Sequence, residues 1–190
     1  TALDAIGPQH MLAGMTGASV KFIAATAEQV KTDSGYFITP QLTFDQCPEQ
    51  LDLLLIPGGT TGTIQAMEDK TVLDFVAQAA SRSKLIGSVC TGSLILGAAG
   101  LLQGTRATSH WQTRHLRKIA GATPVAQRVV RDQNVITGAG VTAGIDLALD
   151  LVRQYRGDFY AQGVQLLAEY DPQPHFAKSG NASTAPKEVV

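Results

Sequence analysis

The sequence predicts an α/β protein in which helices cover both faces of a mostly parallel sheet. Apolar runs of strand length alternate with runs whose apolar residues recur every three or four positions, as expected when helices join parallel strands. Glycine-rich turns follow several of the predicted strands and allow sharp changes of chain direction. The chain has 190 residues, of which 44% are hydrophobic, so it can bury one sizeable core.

Five runs have the length and apolar content of strands. They are residues 19–25, 51–57, 85–89, 125–130 and 134–138. Helix-like runs separate several of them, which indicates parallel pairing and a sheet covered on both faces. In such a sheet, ligands bind outside the carboxyl ends of the strands.

Five further runs carry apolar residues at helical spacing. They are residues 9–15, 71–81, 93–101, 111–119 and 142–155. The last run is the clearest, because Ile145, Leu149 and Val152 lie on one stripe. Thr142 is a suitable N-cap for this helix, and Gly157 is suited to end it.

The two ends of the chain differ from the rest. Residues 1–8 precede the first helix-like run without forming a strand, and an α/β protein usually opens with one. We therefore expect a first strand to precede residue 1. Residues 171–190 are rich in proline, serine, alanine and glycine, and predict an extended surface tail. The predicted organisation is a single α/β domain over residues 1–170 followed by that tail.

Charge and hydropathy argue against nucleic-acid and membrane partners. The formal net charge is -1, and the basic residues of the middle of the chain are scattered among apolar ones, so no stripe for nucleic acid forms. These residues are Arg114, Arg117, Lys118, Arg128 and Arg131. The longest apolar runs, residues 51–57 and 94–102, fall well short of the roughly 20 residues that cross a bilayer.

The cysteine and histidine patterns indicate neither a disulfide framework nor a metal site. Cys47 and Cys90 lie in different contexts, which favours a reducing, cytoplasmic location. His10, His115 and His175 lack the spacing of metal ligands. We therefore expect no metal, and because neither common glycine-rich nucleotide motif is present, we also expect no bound nucleotide.

Cys90 stands where the predicted strand 85–89 meets the predicted helix 93–101, in the segment SVCTG. This layout is typical of a nucleophile elbow, in which a sharp turn exposes the nucleophile above the sheet edge. The amides of the following helix are expected to lower the pKa of the thiol below its ordinary value of about 8.5 and to hold an oxyanion. The alternative is a buried structural thiol. Cys47, a loop residue before a proline, is predicted to be chemically idle.

A glycine-rich turn follows the predicted strand 51–57 in the segment LLLIPGGTTGT. The N–H groups of Gly59 and Thr60 lie at the carboxyl end of that strand. They are placed to complete an anion pocket with the amide of Thr91. The alternative is a plain tight turn.

Four segments together resemble the ThiJ/PfpI superfamily and, within it, are most similar to isocyanide hydratases. They are SVCTGSLILGAAGLLQGTRATSHW (88–111), IPGGT (56–60), RVVRDQNVITGAGVTAGIDLAL (128–149) and EYDPQPHF (169–176). The resemblance covers nearly the whole chain. It implies a flavodoxin-like sandwich, a homodimer and a reactive cysteine at Cys90.

The resemblance also implies roles for particular residues. Asp4 occupies the acidic position of L-D-x-x-G-P that approaches the cysteine, where burial and a nearby thiolate would raise its pKa and make it a proton donor. The alternative is that Asp4 only satisfies the loop that follows it. Thr91 would stabilise the intermediate, and His110 would have a supporting role. The turn with Gly140 and Val141 would border the pocket through its backbone.

The implied reaction is the hydration of a small-molecule isocyanide to an N-substituted formamide, through a thioimidate on Cys90 and without a cofactor. One alternative is a glyoxalase-type or other cysteine enzyme of the same superfamily. Another is a ligand-sensing domain related to AraC-type transcription regulators. Those regulators carry a helix-turn-helix domain, for which we expect no room beyond the tail 171–190.

Overall fold

The computed structural model describes residues 1–115 and 121–190. Its described helices are α1 (Ala2–Ala13), α2 (Thr61–Glu68), α3 (Lys70–Ser81), α4 (Gly92–Ala98), α5 (Ala143–Arg156) and α6 (Asp158–Leu167). Its described strands are β1 (Ile23–Ala24), β2 (Val30–Lys31), β3 (Phe37–Ile38), β4 (Leu42–Thr43), β5 (Leu51–Ile56), β6 (Ser83–Val89), β7 (Arg106–Ala107), β8 (Thr123–Pro124), β9 (Val129–Asp132) and β10 (Val135–Gly138). A 3-10 helix spans Phe44–Gln46.

Four strands form the central sheet, in the order β5-β6-β10-β9. Strand β6 pairs in parallel with both β5 and β10, and β9 pairs antiparallel to β10 at the edge. The remaining strands form three two-stranded pairs, β1-β4, β2-β3 and β7-β8. The prediction of an α/β sandwich with a mostly parallel sheet is confirmed.

Neighbouring residues of each central strand point to opposite faces of the sheet. Leu85 of β6 packs with α1, α5 and α6 on one face, whereas Ile86 packs with α3 and α4 on the other. In β10, Ile136 packs on the same face as Leu85, and Val135 packs on the same face as Ile86. The helices therefore cover both faces, and strands that lack a polar face read as continuous apolar runs.

The central strands match the predictions better than the others do. The predicted strands 51–57, 85–89 and 134–138 correspond to β5, β6 and β10. Of the predicted strand 19–25, only the two residues of β1 pair with another strand. The prediction is wrong for the other residues of this run. The predicted strand 125–130 is displaced toward β9, which pairs through residues 129–132.

The helix predictions need several corrections. Helix α4 ends at Ala98 rather than at residue 101, because Gly100 has a φ of 76°. Helices α2 and α6 were not expected. Of the predicted helix 111–119, residues 111–115 form turns, and the rest lies outside the described residues, as do Arg117 and Lys118. Helix α5 begins after Thr142, but the Thr142 side chain makes no capping hydrogen bond.

Helix α1 runs through the Gly7-Pro8 pair that was expected to precede a helix. The pair packs against α5 instead of breaking the chain. A Cβ on Gly144 would come within 2.9 Å of the Pro8 ring, and a Cβ on Gly7 within 3.2 Å of Ile145. This close packing of α1 on α5 extends the helix back to Ala2 and carries Asp4 into the interior.

Residues 171–190 contain turns and bends but no helix or strand, and most of them are exposed. None of the helices in the described ranges is both long and apolar enough to span a membrane.

Candidate active site

Cys90 lies in the turn between β6 and α4, with a φ of 58°. This left-handed conformation is uncommon for a residue other than glycine and persists only where its surroundings hold it. The Cys90 N–H donates to the carbonyls of Gly138 and Ala139 at 3.1 and 2.8 Å. Its carbonyl accepts hydrogen bonds from the hydroxyls of Ser93 and Ser109 at 3.3 and 3.1 Å. The backbone of Cys90 is therefore fixed from both sides.

Two glycines allow the turn after β5 to touch the turn after β6. A Cβ on Gly58 would lie 2.5 Å from the Thr91 nitrogen, and a Cβ on Gly92 would lie 2.2 Å from the Ile56 carbonyl oxygen. Both distances are shorter than any real contact, so only glycine fits at either position. The glycine-rich turn of the sequence serves this close approach of two strand ends.

Asp4 reaches the same place from the first turn of α1. It is completely buried, and its Oδ2 accepts a hydrogen bond from the Gly58 N–H at 3.0 Å. Its Oδ1 is buried without a hydrogen-bond partner among the described residues. Burial raises the pKa of Asp4 to about 6, against the opposing effects of the Gly58 N–H and the Cys90 thiol. Asp4 thus lies beside Cys90 with one carboxyl oxygen available for chemistry.

The pKa of the Cys90 thiol is raised, so the expectation of a lowered value is wrong. Burial is the main cause, and the negative charge of Asp4 adds to it. The nearby N–H groups of Val141 and Thr91 lower the pKa, but they do not offset desolvation. The sequence pattern points to these amides but carries no measure of how far the site is shielded from water. Cys90 is only 5% exposed.

Thr91 connects the two turns through its hydroxyl group. Its Oγ1 donates to the Gly59 carbonyl at 2.6 Å and accepts from the Gly59 N–H at 2.9 Å. The Gly59 N–H is therefore occupied by a hydroxyl in this structure, which differs from the expected anion pocket. Thr60 is exposed and directly precedes α2, without a side-chain cap.

Thr63 is a residue of this network that the sequence analysis did not single out. Its hydroxyl lies 2.8 Å from that of Thr91 and donates to the Gly59 carbonyl at 3.0 Å. It is buried, although it belongs to the polar segment TTGT. The position of Thr63 could have revealed its role, because Thr63 lies in the first turn of a helix that begins directly after the glycine-rich turn.

The turn between β10 and α5 closes the third side of the site. Val141 has a φ of 30°, a strained value for a β-branched residue, and its backbone N–H faces the Cys90 thiol, where it acts to lower the pKa of that group. Gly140 packs against His110, since a Cβ there would lie 2.8 Å from the imidazole Cδ2.

His110 is half-buried, and burial lowers its pKa. Its Nδ1 accepts a long hydrogen bond of 3.4 Å from the Gln112 N–H. Among the hydrogen bonds of the described residues there is none between His110 and Cys90. The geometry thus joins Cys90 to Asp4, Thr91 and Val141, and leaves His110 at the edge of the site beside Gly140.

The described residues contain no group of three or more His, Cys, Asp and Glu side chains positioned to hold a metal ion. One groove lies away from Cys90, where Phe44 stacks on Phe75 with ring centroids 3.9 Å apart. The site around Cys90 is instead nearly closed, because Asp4, Cys90 and Thr91 are each less than a tenth exposed.

Cys90 is thus a cysteine held in a strained turn above a mostly parallel sheet, within an α/β sandwich. The chain belongs to the DJ-1/PfpI family, whose model matches residues 1–154.

Three individual proteins illustrate what the chain is similar to. The chain is 47% identical over 188 residues to an isonitrile hydratase of Pseudomonas putida, covering 99% of this chain and 81% of that protein. It superimposes with a TM-score of 0.96 on the crystal structure of a ThiJ/PfpI family protein from Pseudomonas syringae, at 48% identity, covering 100% of this chain and 78% of the other. A more distant relative is the HTH-type transcriptional regulator GbdR of Pseudomonas aeruginosa, 29% identical over 81% of this chain and 42% of the regulator.

Proposed function

We propose that the protein hydrates isocyanides to N-substituted formamides, with Cys90 as the nucleophile of an elbow and Asp4 as the group that moves the proton. Isonitrile and isocyanide name the same functional group, so the relative with 47% identity supports this reaction class. The observation that carries the proposal is the buried Asp4 carboxyl, which interacts with the Cys90 thiol and whose Oδ1 has no hydrogen-bond partner among the described residues. A nearly closed site also suits a narrow, linear group such as R–N≡C.

In the first step, the Cys90 sulfur attacks the terminal carbon of the isocyanide. With a pKa of about 6, Asp4 is mostly ionised at neutral pH, whereas the raised pKa of Cys90 keeps the thiol protonated. Asp4 accepts the thiol proton as the C–S bond forms, and then donates that proton to the same carbon. The product is the thioimidate R–N=CH–S–Cys90.

In the second step, water adds to the thioimidate carbon. Asp4 takes a proton from the water and passes it to the imine nitrogen, which gives the adduct R–NH–CH(OH)–S–Cys90. Asp4 then carries the hydroxyl proton to the sulfur as the C–S bond breaks and the thiol is returned. The formamide R–NH–CHO leaves. The N–H groups of Thr91 and Val141, which point at the sulfur, stabilise negative charge on it in both steps. The backbone around Gly59, Thr60 and Gly140 would border the substrate, and His110 would have a supporting role.

The test is formamide production from several small isocyanides, such as cyclohexyl isocyanide, followed by mass spectrometry. We expect the wild type and Cys47→Ala to be active and Cys90→Ala to be inactive. Cys47 is a matched control because it is the other free and buried cysteine. Absence of turnover by the fully reduced wild type would overturn the reaction, and activity in Cys90→Ala would overturn the mechanism.

A glyoxalase-type reaction and ligand sensing are the competing functions. The similarity to GbdR favours the second, but it spans 42% of that regulator, against 81% of the hydratase. Turnover of methylglyoxal in place of isocyanides would favour the glyoxalase. Saturable isocyanide binding without formamide release would favour a sensor.

A homodimer in the cytoplasm is also part of the proposal. Phe159, Leu166 and Leu167 of α6 are 90%, 76% and 87% exposed and lie on one face of the helix, which supports burial against a second copy. Sedimentation equilibrium at micromolar concentration tests this expectation, since a monomer under those conditions would contradict it.

A further inference from the structure

We propose that Arg128, Asp146 and Tyr170 form a tether that positions the turn carrying Val141, and through it the Val141 N–H that faces the Cys90 sulfur. The inference concerns the same site as the proposed function. Its central test measures the thiol directly, so it can be decided whether or not the protein hydrates isocyanides. The tether is defined as these three side chains together with the Thr142 hydroxyl.

Arg128 holds both ends of the turn. Its carbonyl accepts the Ala139 N–H at 2.8 Å, and its guanidinium Nη2 donates to Thr142 Oγ1 at 3.1 Å. Between these two points lie Gly140 and Val141. The Cys90 N–H also donates to Ala139, so one end of the turn is joined to the backbone of the cysteine itself.

Asp146 and Tyr170 fix the guanidinium in place. Arg128 Nε donates to Asp146 Oδ2 at 2.5 Å, and the Tyr170 hydroxyl donates to the same carboxylate at 3.2 Å. Three segments that are distant along the chain thus meet: the approach to β9, the first turns of α5 and the residues after α6. Glu169, directly before Tyr170, has a φ of 45°, so the backbone is also strained where it delivers the tyrosine.

The strain at Val141 explains why a tether is needed. A β-branched residue at a φ of 30° relaxes toward ordinary backbone angles unless neighbouring contacts hold it. Relaxation would turn the Val141 N–H away from the sulfur. The Arg128 and Asp146 side chains are 49% and 34% exposed, so their ion pair adds little to global stability. Its effect is therefore local.

The experiment follows alkylation of Cys90 by iodoacetamide as a function of pH, with Cys47→Ala as the background so that a single thiol reacts. The variants are Arg128→Gln, Asp146→Asn and Thr142→Val. We expect each to shift the titration midpoint to higher pH and to lower the alkylation rate at pH 7 by about tenfold, because a hydrogen bond to the thiolate is lost.

The two charge changes separate positioning from long-range electrostatics. Loss of the Arg128 cation alone would disfavour the thiolate, whereas loss of the Asp146 anion alone would favour it. Shifts in opposite directions would therefore overturn the tether, and shifts in the same upward direction support it. No shift in Arg128→Gln and Asp146→Asn would also overturn it.

Two further variants serve as controls. Asp150→Asn breaks the Asp150–Arg153 ion pair, which spans 2.8 Å on the same helix and does not touch the turn. Thr142→Ser keeps the hydroxyl that Arg128 binds. Both should titrate like the background protein, and an equal shift in Asp150→Asn would overturn the proposal. If an Arg128 or Asp146 variant fails to fold, Thr142→Val against Thr142→Ser still decides it.

Discussion

At the scale of single residues, Asp4 and Cys90 are two acids placed together in a dry site. Burial disfavours the charged form of each, and the negative charge of Asp4 further disfavours the thiolate of Cys90. The pair therefore binds one proton more readily than separate groups in water would. This is the property that a reaction needs when a proton leaves sulfur and is then delivered to carbon.

Asp4→Asn removes this proton carrier while keeping an acceptor for the Gly58 N–H. We expect kcat/KM for isocyanide hydration to fall by about 100-fold or more, in the range of general acid–base contributions. The Cys90 thiol should titrate at lower pH than in the wild type, because the charge of Asp4 raises its pKa. Thiolate absorbance in the ultraviolet measures this, and an unchanged titration would show that the two groups do not interact.

Asp4 also predicts how stability depends on pH. The pKa of Asp4 has the ordinary aspartate value of 3.8 in the unfolded chain and is about 6 in the folded protein. The folded state therefore binds the proton more tightly than the unfolded state does. Proton binding by Asp4 therefore adds up to about 3 kcal/mol to the free energy of unfolding. This stabilisation is fully present below pH 3.8 and is lost as the pH rises through 6. Relative to the wild type, Asp4→Asn should gain free energy of unfolding between pH 4 and pH 7.

Urea unfolding of both proteins at several pH values checks this expectation. Asp171→Asn, which changes an exposed aspartate of the tail, should follow the wild type throughout. A constant difference between wild type and Asp4→Asn across this pH range would contradict the raised pKa of Asp4.

At the scale of elements, the site depends on two strand ends that touch. The turn after β5 and the turn after β6 interlock through Gly58 and Gly92, and the Thr91 hydroxyl joins them. Because β5 and β6 are adjacent and parallel, their carboxyl ends meet at one edge of the sheet. Helix α1 then brings Asp4 to that edge by packing its Gly7-Pro8 face on α5.

Gly92→Ala should damage this junction, because the added methyl group would lie 2.2 Å from the Ile56 carbonyl oxygen. We expect a loss of about 2 kcal/mol or more in the free energy of unfolding, as for other changes that force backbone to move. Gly163→Ala is the matched control within α6, since a Cβ there meets no atom within 4 Å. It should be neutral or stabilising by up to about 1 kcal/mol through helix propensity. Denaturant unfolding of both variants measures this, and equal stabilities would contradict the predicted clash.

At the scale of the whole molecule, the sheet divides the core into two clusters. The buried residues of one lie between the sheet and α1, α5 and α6, and those of the other between the sheet and α3 and α4. Neither cluster includes a residue beyond Tyr170. The proposed tether also ends at Tyr170.

Deletion of residues 171–190 should therefore leave the folded protein intact. The hydrogen bonds of this segment with described residues stay within residues 169–190. We expect the melting temperature of the shortened protein to lie within about 3 °C of that of the full chain. The pH titration of Cys90 should be the same in both proteins within experimental error. A loss of cooperative unfolding in circular dichroism would show that the tail is part of the domain.

The central strands and the place of Cys90 were predictable because their signals are local. A strand buried on both faces has to be apolar throughout, and a sharp turn into a helix has to be built from small residues. The short strand β1, by contrast, has only weak local signals, and its pairing with β4 is set by distant residues. For helix α1 the local signal is misleading. Pro8 indicates a break in the helix, but the packing of Pro8 against Gly144 keeps the helix continuous.

The sequence by itself determined the α/β class, the cysteine at a strand-to-helix turn and the acidic partner implied by family resemblance. Only the tertiary structure decided that the thiol has a raised rather than a lowered pKa, that the Gly59 amide binds the Thr91 hydroxyl, and that Arg128 brackets the turn of Val141. The reason is physical. Dihedral preferences and apolar periodicity act within a few residues, whereas desolvation and hydrogen-bond partners depend on groups that the fold brings together from distant parts of the chain.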